Sequence, residues 1–419
     1  MQLHFKSISE PALAGEKWLK LFETYWPSYD KWLVSKGVSE KPDLKKAQAM
    51  LRKYMPEMAA TYEHLCRLSG ASPRAAYFLT GWCPPAYLHA CSQAVYNSDV
   101  IQLVRNYDFH PELFEGTLML SKWNGKKVIS NNDCLMGAVD GMNEDGLAIS
   151  LTFGGRDVVG RGFGIPFILR YVLEFCSNVE EAVEALKRIP SHMSYNITVV
   201  DRSGVFKTVM MAPDRKAVVT VDAYTTNHQH RLPWPKNAIF NKTVERSEYL
   251  KLILSKKGMN AEKLADAFLR PPLYNSLFKE GFGTLFTSVY RPEEGTVKFR
   301  WPKNKMEQSF AVFKEESRLI EFVQAGAPEY QTWVPINADL SAVLSHGGNP
   351  VPWQHELAEA LIESLAASMP KVKTKQLDIL KRNIIQNGQI SWKLLATFWN
   401  ERNSMRWEKW IISPAVSVK

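Results

Sequence analysis

The chain has 419 residues, 45% of them hydrophobic and 23% charged, ordinary proportions for a soluble globular protein of two or three domains, or one large domain with additions. A core of that size needs no disulfide or metal staple, and the five cysteines lack CxxC or metal-ligand spacing, which excludes a zinc knuckle and a thioredoxin-type motif. The net charge of +9 is spread along the chain without a dense basic run, so it reads as a solvated surface, with no nucleic acid or membrane as partner.

The opening MQLHFKSISEPALAGEKW lacks the apolar h-region of a signal peptide. The longest apolar run, Ile165 to Phe175, is broken by Pro166 and Arg170 and is too short for a membrane span. These features predict a cytoplasmic protein with reduced thiols.

In chain order, the first zone, to about residue 90, reads as helical. Leu51, Met55, Met58, Tyr62 and Leu65 recur at spacings of three and four. Pro56 interrupts that stripe and restarts it, and Ser72-Pro73 can open a further short helix. From Cys91 the pattern changes to short β-rich runs: Cys91–Asn97, Asp99–Arg105, Gly116–Trp123, Lys127–Ser130 and Leu147–Phe153. Helical patterns over Ile165–Cys176 and Val179–Ile189 separate these from strands at Tyr195–Asp201, Val205–Ala212 and Ala217–Val221. Helices near Lys242–Ser255 and Ala261–Leu269 precede strands at Thr284–Tyr290, Thr296–Trp301 and Ser309–Phe313. Strands, a central helix pair and strands again suggest two sheets with helices packed outside them. The third zone returns to helix, with Trp353–Met369, Thr374–Gln386 and Trp392–Trp407 as amphipathic candidates.

The stretch with the most chemistry is Ala90-Cys-Ser-Gln-Ala-Val-Tyr-Asn-Ser-Asp-Val-Ile-Gln-Leu-Val-Arg-Asn-Tyr-Asp108. Asn97-Ser98-Asp99 suits a tight turn between two strands. A three-residue loop centred on Ser98 sets Cys91 directly opposite Arg105. A guanidinium beside a thiol raises its thiolate fraction, and Asp108, just past the second strand, could bend back to hold both groups.

The run CSQAVYN…LVRNYDFHP, then GMNEDGLAISLTFGG, then TTNH, resembles the isopenicillin-N acyltransferase family. The wider kinship is with choloylglycine hydrolases, penicillin V acylases and acid ceramidase-like amidases, over roughly residues 60 to 315. The resemblance implies an α+β fold, a four-layer αββα N-terminal-nucleophile hydrolase sandwich. It also implies a precursor that cleaves itself between Ala90 and Cys91. The Cys91 thiol would attack the Ala90 carbonyl, and the freed α-amine would then serve as its base. By the same resemblance Arg105 and Asp108 position the thiol and amine, and Asn227 helps to stabilise the oxyanion. Thr152 stands where bile-salt hydrolases carry an asparagine, and is the candidate oxyanion or substrate residue. Those hydrolases also use a late arginine; Arg291 and Arg300 are candidates without a motif to support them.

A lone cysteine is usually a small buried hydrophobe; Cys91 is read as the nucleophile because of its neighbours, while Cys66, Cys83, Cys134 and Cys176 are assigned to packing. His228 and His230 lack a third ligand and do not predict a metal site. Gly154 to Gly164 lacks the Gly-Lys-Ser/Thr ending of a phosphate loop and is read as a flexible loop over the active site. A papain-like protease is disfavoured by the missing cysteine signature.

The expected organisation is a helical pro-segment over 1–90, a catalytic domain over 91–336 and a helical extension over 337–419. The expected activity is that of a self-processing cysteine amidase or acyltransferase for small amides, acting through an acyl-thioester on Cys91. No cofactor is implied, although acyl-coenzyme A could donate the acyl group. The cleaved pro-segment is expected to stay associated, and homo-oligomers are allowed. The alternative is an inactive binding or scaffold protein with the same fold and a basic surface.

Overall fold

A computed structural model describes residues 1–87, 90–111, 114–278 and 282–322; the helical candidates beyond residue 337 lie outside the described residues. The chain opens with β1 (Gln2–Glu10), followed by α1 (Glu16–Ser35), α2 (Leu44–Tyr54), α3 (Ala59–Leu68) and α4 (Pro73–Leu79). Then come β2 (Ala90–Asn97), β3 (Ile101–Phe109), β4 (Thr117–Ser121), β5 (Val128–Asp133), β6 (Gly137–Asn143) and β7 (Ala148–Phe153). Helices α5 (Ile165–Phe175) and α6 (Val179–Arg188) lead to β8 (Tyr195–Val200), β9 (Phe206–Ala212), β10 (Arg215–Thr220) and β11 (Tyr224–Thr225). After α7 (Pro235–Phe240), α8 (Thr243–Ser255) and α9 (Ala261–Ala267), the strands β12 (Gly283–Arg291), β13 (Thr296–Trp301), β14 (Asn304–Ser309) and β15 (Glu316–Glu321) complete the described chain. Residues 230–240, with α7, belong to a second unit; the other described residues form one compact unit.

Among the described residues the strands make two sheets. One runs β10-β9-β8-β7-β6-β5-β4-β1-β15 and the other β11-β2-β3-β12-β13-β14. They meet face to face where β2 and β3 pack on β7, with α5 and α6 against β6 and β9 outside one sheet, and α8 and α9 against β2 and β3 outside the other. That is the αββα layering expected from the sequence.

Local chemistry explains many boundaries. Ser72 caps α4 by accepting from the Ala75 N–H, with Pro73 in the first turn. Asn178 and Asn260 cap α6 and α9 in the same way. α2 ends before Pro56, which opens a short 3₁₀ turn from which α3 continues. α5 is buried on every side, and its Arg170–Glu174 ion pair lies inside with it. On the outer face of the second sheet, Ala94, Val104 and Val289 pack with Leu250, Ile253, Leu264 and Phe268 of the helical layer.

Several features depart from the sequence reading, among them the strand expected over Ser309–Phe313, in place of which β14 spans Asn304–Ser309. The first zone is not helical throughout: β1 inserts between β4, in parallel, and β15, antiparallel. Its alternation is masked by charge, because only Phe5, Ser7 and Glu10 are buried. β6 is likewise a full strand despite Gly137 and Gly141. A Cβ at Gly141 would lie 2.7 Å from Leu173 of α5, and one at Gly137 would lie 2.4 Å from Pro166. The glycines are there because the helix packs onto them. Finally, the glycine-rich stretch after β7 is pinned rather than free, with Gly154 N–H donating to Ser194, Gly160 N–H to His192 and Gly164 N–H to Gly81.

The segment before β2 is anchored in the core. Tyr29 of α1 donates to Glu115 Oε1 at 2.5 Å and also reaches Asp133 Oδ1. The Leu135 N–H also donates to Glu115. Burial, reinforced by Glu115 beside it, pushes the Asp133 carboxyl up to about 8, and burial also raises Glu115. An unfolded aspartate releases its proton near pH 4, so between about pH 4 and pH 8 the folded chain binds a proton that the unfolded chain has lost. Stability therefore falls as pH rises through this window. Urea midpoints measured across it should decline, and Asp133→Asn should flatten the decline; a midpoint that climbs with pH would contradict the assignment.

Candidate active site

The site is built on the β2–β3 hairpin. Its register pairs Cys91 with Tyr107, Gln93 with Arg105 and Ala90 with Asp108. The loop is thus centred on Asp99, and Cys91 and Arg105 are diagonal neighbours on one face instead of directly opposed. A long side chain spans that diagonal, and Arg105 Nη2 donates to Cys91 Sγ at 3.1 Å. Both residues are fully buried.

Arg105 is held from three sides. Its Nε donates to the Leu151 carbonyl of β7 at 2.9 Å, and its Nη1 to Asp140 Oδ2 of β6 at 2.7 Å. Asp140 also accepts from Ser288 Oγ and Tyr290 OH of β12. Burial works against the Arg105 charge, but Cys91 and Asp140 more than offset it, and the group stays fully charged. Burial pushes the Cys91 thiol up, Arg105 draws it back down, and the Asp108 carboxylate adds to the rise while the Asp108 N–H opposes it.

Asp108 does not bend back onto Arg105 as the sequence suggested. Alternation along β3 turns its carboxylate to the opposite face, where Thr284 Oγ1 donates at 2.6 Å and Arg246 Nη1 lies at 3.4 Å. Burial raises the Asp108 carboxyl to about 6, with Arg246 the main opposing influence.

Arg246, on α8, is the site residue that the sequence did not reveal. Its Nη1 donates to the Cys91 carbonyl at 2.7 Å and to Ser92 Oγ at 2.8 Å, and its Nη2 to Asn227 Oδ1 at 2.5 Å. Arg291 and Arg300 are elsewhere, paired with Glu262 and Asp266.

Asn227 Oδ1 also accepts from the Cys91 N–H at 3.1 Å, and its Nδ2 faces the Phe153 carbonyl at 3.4 Å. Gly155 lets this segment approach: it has φ +69°, and a Cβ there would lie 2.4 Å from the Asn227 carbonyl. Thr152 supports the segment from below. Its hydroxyl donates to the Thr226 carbonyl at 2.7 Å and accepts from Asn196 Nδ2 at 3.1 Å. His228 Nδ1 rests against Thr243 Oγ1 at 2.8 Å. Around the thiol, then, the fold gathers a cation, a carboxylate and an amide, with the Ala90–Cys91 peptide between them.

The family described as acyl-coenzyme A:6-aminopenicillanic acid acyl-transferase matches residues 96–306, half of the chain. The chain belongs to this acyl-transferase family. The match begins just past Cys91 and includes Arg105, Asp108, Asn227 and Arg246. A member of this family is an enzyme of the acyl-transferring kind. No curated protein matches the chain. Among solved structures it is similar to a mutant of conjugated bile acid hydrolase from Clostridium perfringens, at 13% identity over 57% of this chain and 98% of that one, with a TM-score of 0.39. It is also similar to penicillin V acylase from Agrobacterium tumefaciens, at 16% identity over 53% and 86%, TM-score 0.35. A third is the Caenorhabditis elegans N-acylethanolamine-hydrolyzing acid amidase ortholog, at 18% identity over 55% and 100%, TM-score 0.37. Among the described residues no helix is long and apolar enough to cross a membrane, and no group of three or more potential ligands could hold a metal ion.

Proposed function

We propose that this acyl-transferase is a self-processing amidase or N-acyltransferase that uses Cys91 as its nucleophile. The observation that carries the reading is the pairing of the Cys91 thiol with the buried Arg105 while Asn227 and Arg246 hold the N–H and carbonyl of the same residue. In the first step Sγ bonds to the Ala90 carbonyl carbon and the Ala90–Cys91 C–N bond breaks. The nitrogen takes the thiol proton and becomes an α-amine. Water then cleaves the Ala90 thioester, leaving a carboxylate on residue 90 and a free thiol on residue 91.

A free α-amine has a pKa of about 7.7–8.0, so it accepts the thiol proton near neutrality. Asn227 Oδ1 already faces that nitrogen and would orient the amine. The Asn227 Nδ2 bond to Phe153 is long and can be exchanged for the oxyanion of a bound substrate. The substrate acyl carbon bonds to Sγ, the amide C–N bond breaks, and the proton passes from the amine to the departing nitrogen. Water or another amine then takes the acyl group. Acyl-coenzyme A could load the same thiol by thioester exchange, and the scheme needs no cofactor. The pro-segment contributes β1 to the larger sheet, which supports its staying bound after cleavage.

The test is the quenched intact mass of processed enzyme during amide turnover. A fragment beginning at Cys91 that carries the mass of the acyl group is expected; turnover without any adduct on that fragment would refute the thioester. The pH profile gives a second check. The α-amine must be neutral, so log kcat/KM should rise with slope one up to about pH 8. Below about pH 6 the slope should steepen to two, because Asp108 then takes up its proton and loses its charge pairing with Arg246. Asp108→Asn should lower the rate and leave slope one throughout.

A further inference from the structure

Asn227 lies just past β11, the short edge strand of the smaller sheet. A two-residue edge strand does little to fix the chain that follows it. Asn196 of β8, in the larger sheet, fixes that chain from across the core. Its Nδ2 donates to the Thr226 carbonyl at 3.0 Å and to the His228 carbonyl at 2.9 Å, with Thr152 Oγ1 at 3.1 Å. These two carbonyls belong to the residues on either side of Asn227, so one side chain brackets it. Carbonyls only accept, which makes the nitrogen the atom that faces them. Thr152, the direct partner of Asn196 across β7 and β8, adds a second donor to the Thr226 carbonyl at 2.7 Å.

The bracket is also tied to the strand of the thiol. Gln93 shares a face of β2 with Cys91. Its Nε2 donates to Thr225 Oγ1 at 2.8 Å and to the Asn196 carbonyl at 3.2 Å. Gln93, Thr152 and Asn196 are all fully buried. Burying such groups costs desolvation that an apolar core of the same volume would avoid. What a connected polar network contributes in return is one defined arrangement of the parts it joins. Here the parts are the Cys91 strand and the Asn227 segment, and the arrangement sets Asn227 Oδ1 on the Cys91 N–H.

We infer that Asn196 is a positioning residue for the reaction: it holds the 226–228 backbone so that Asn227 Nδ2 meets the oxyanion, and it acts on the acyl carbon only through Asn227. This rests on the reading above of Cys91 as nucleophile and Asn227 as oxyanion donor. A catalytic group misplaced by about 1 Å can cost about a hundredfold in rate, and outright loss of an oxyanion donor costs about 10²–10³. A residue that works through Asn227 therefore costs no more, when removed, than the Asn227 amide itself.

The test sets Asn196→Leu, which keeps the volume and removes the donors, beside Asn227→Ala. The cut fraction of each preparation is counted by intact mass, and kcat and KM for an acyl anilide are measured with the rate at which iodoacetamide alkylates Cys91. Alkylation forms an S–C bond at a saturated carbon, expels iodide and passes the thiol proton to solvent, so no oxyanion arises. Asn196→Leu should lower kcat by about 10- to 100-fold, with KM and alkylation within about threefold of wild type. Alkylation that falls in step with kcat would show that Asn196 holds the thiol or the fold instead. An unchanged kcat, or a loss larger than that of Asn227→Ala, overturns the inference as well. If Asn196→Leu stays uncut, self-cleavage is the readout: failure in both variants with Cys91 still alkylated supports the inference, and normal cleavage in Asn227→Ala overturns it. Wild type that is neither cut nor acylated on Cys91 would instead remove the nucleophile reading on which the inference rests.

Discussion

Cys91→Ala is expected to leave a single uncut chain of 47.7 kDa, while wild type yields fragments 1–90 and 91–419, and to abolish amide turnover completely. The loss is total because the thiol serves twice. In the proposed mechanism it breaks the Ala90–Cys91 bond, and that cleavage also creates the α-amine that later acts as its base. The variant should still fold. Cys91 is a small fully buried side chain in a strand, and alanine leaves only a small cavity there. Denatured intact mass of both proteins, beside their urea midpoints, checks each part. Wild type that stays whole while folded, or a Cys91→Ala chain that is still cut, would remove the nucleophile assignment and favour a binding protein with a basic surface.

Which parts of this site could be read from the sequence follows from how far apart its residues lie. Cys91, Arg105 and Asp108 come from one hairpin, so a turn signal and strand alternation bring them together. The one-residue error in the centre of the loop exchanged Arg105 for Tyr107 opposite the thiol, yet the long guanidinium still reached it. The same alternation that kept Arg105 on the thiol's face carried Asp108 to the other. Asn227 was reached only through its TTNH motif and the family resemblance. Asp140 and Arg246 had no local signal. Asp140 sits between glycines whose packing role depends on α5, and Arg246 belongs to a helix with ordinary polar periodicity, TVERSEYLKLILS. Each becomes a site residue only when distant elements close over the hairpin. β1 was missed for a related reason: its neighbours β4 and β15 are remote in sequence, and they determine which of its residues are covered.

Arg105→Ala should produce the second large effect, on stability as well as chemistry. The Arg105–Asp140 pair is 2.7 Å long with both side chains fully buried. Removing the cation leaves the Asp140 carboxylate enclosed without its charge partner, with Ser288 and Tyr290 as its donors among the described residues. Breaking such a pair typically costs about 3–5 kcal/mol, a large share of the roughly 5–15 kcal/mol that stabilises a domain. The thiol also loses the group that draws its pKa down most strongly by charge, so self-cleavage should fail in whatever fraction folds. These two losses can be separated. In the double variant Arg105→Met/Asp140→Leu no unpaired charge remains, and stability should recover most of the difference by urea denaturation. Processing should remain absent, because Cys91 still lacks its cation. An Arg105→Ala protein as stable as wild type would show that Asp140 finds its compensation elsewhere. A double variant that cleaves itself would show that the guanidinium holds the core together without activating the thiol.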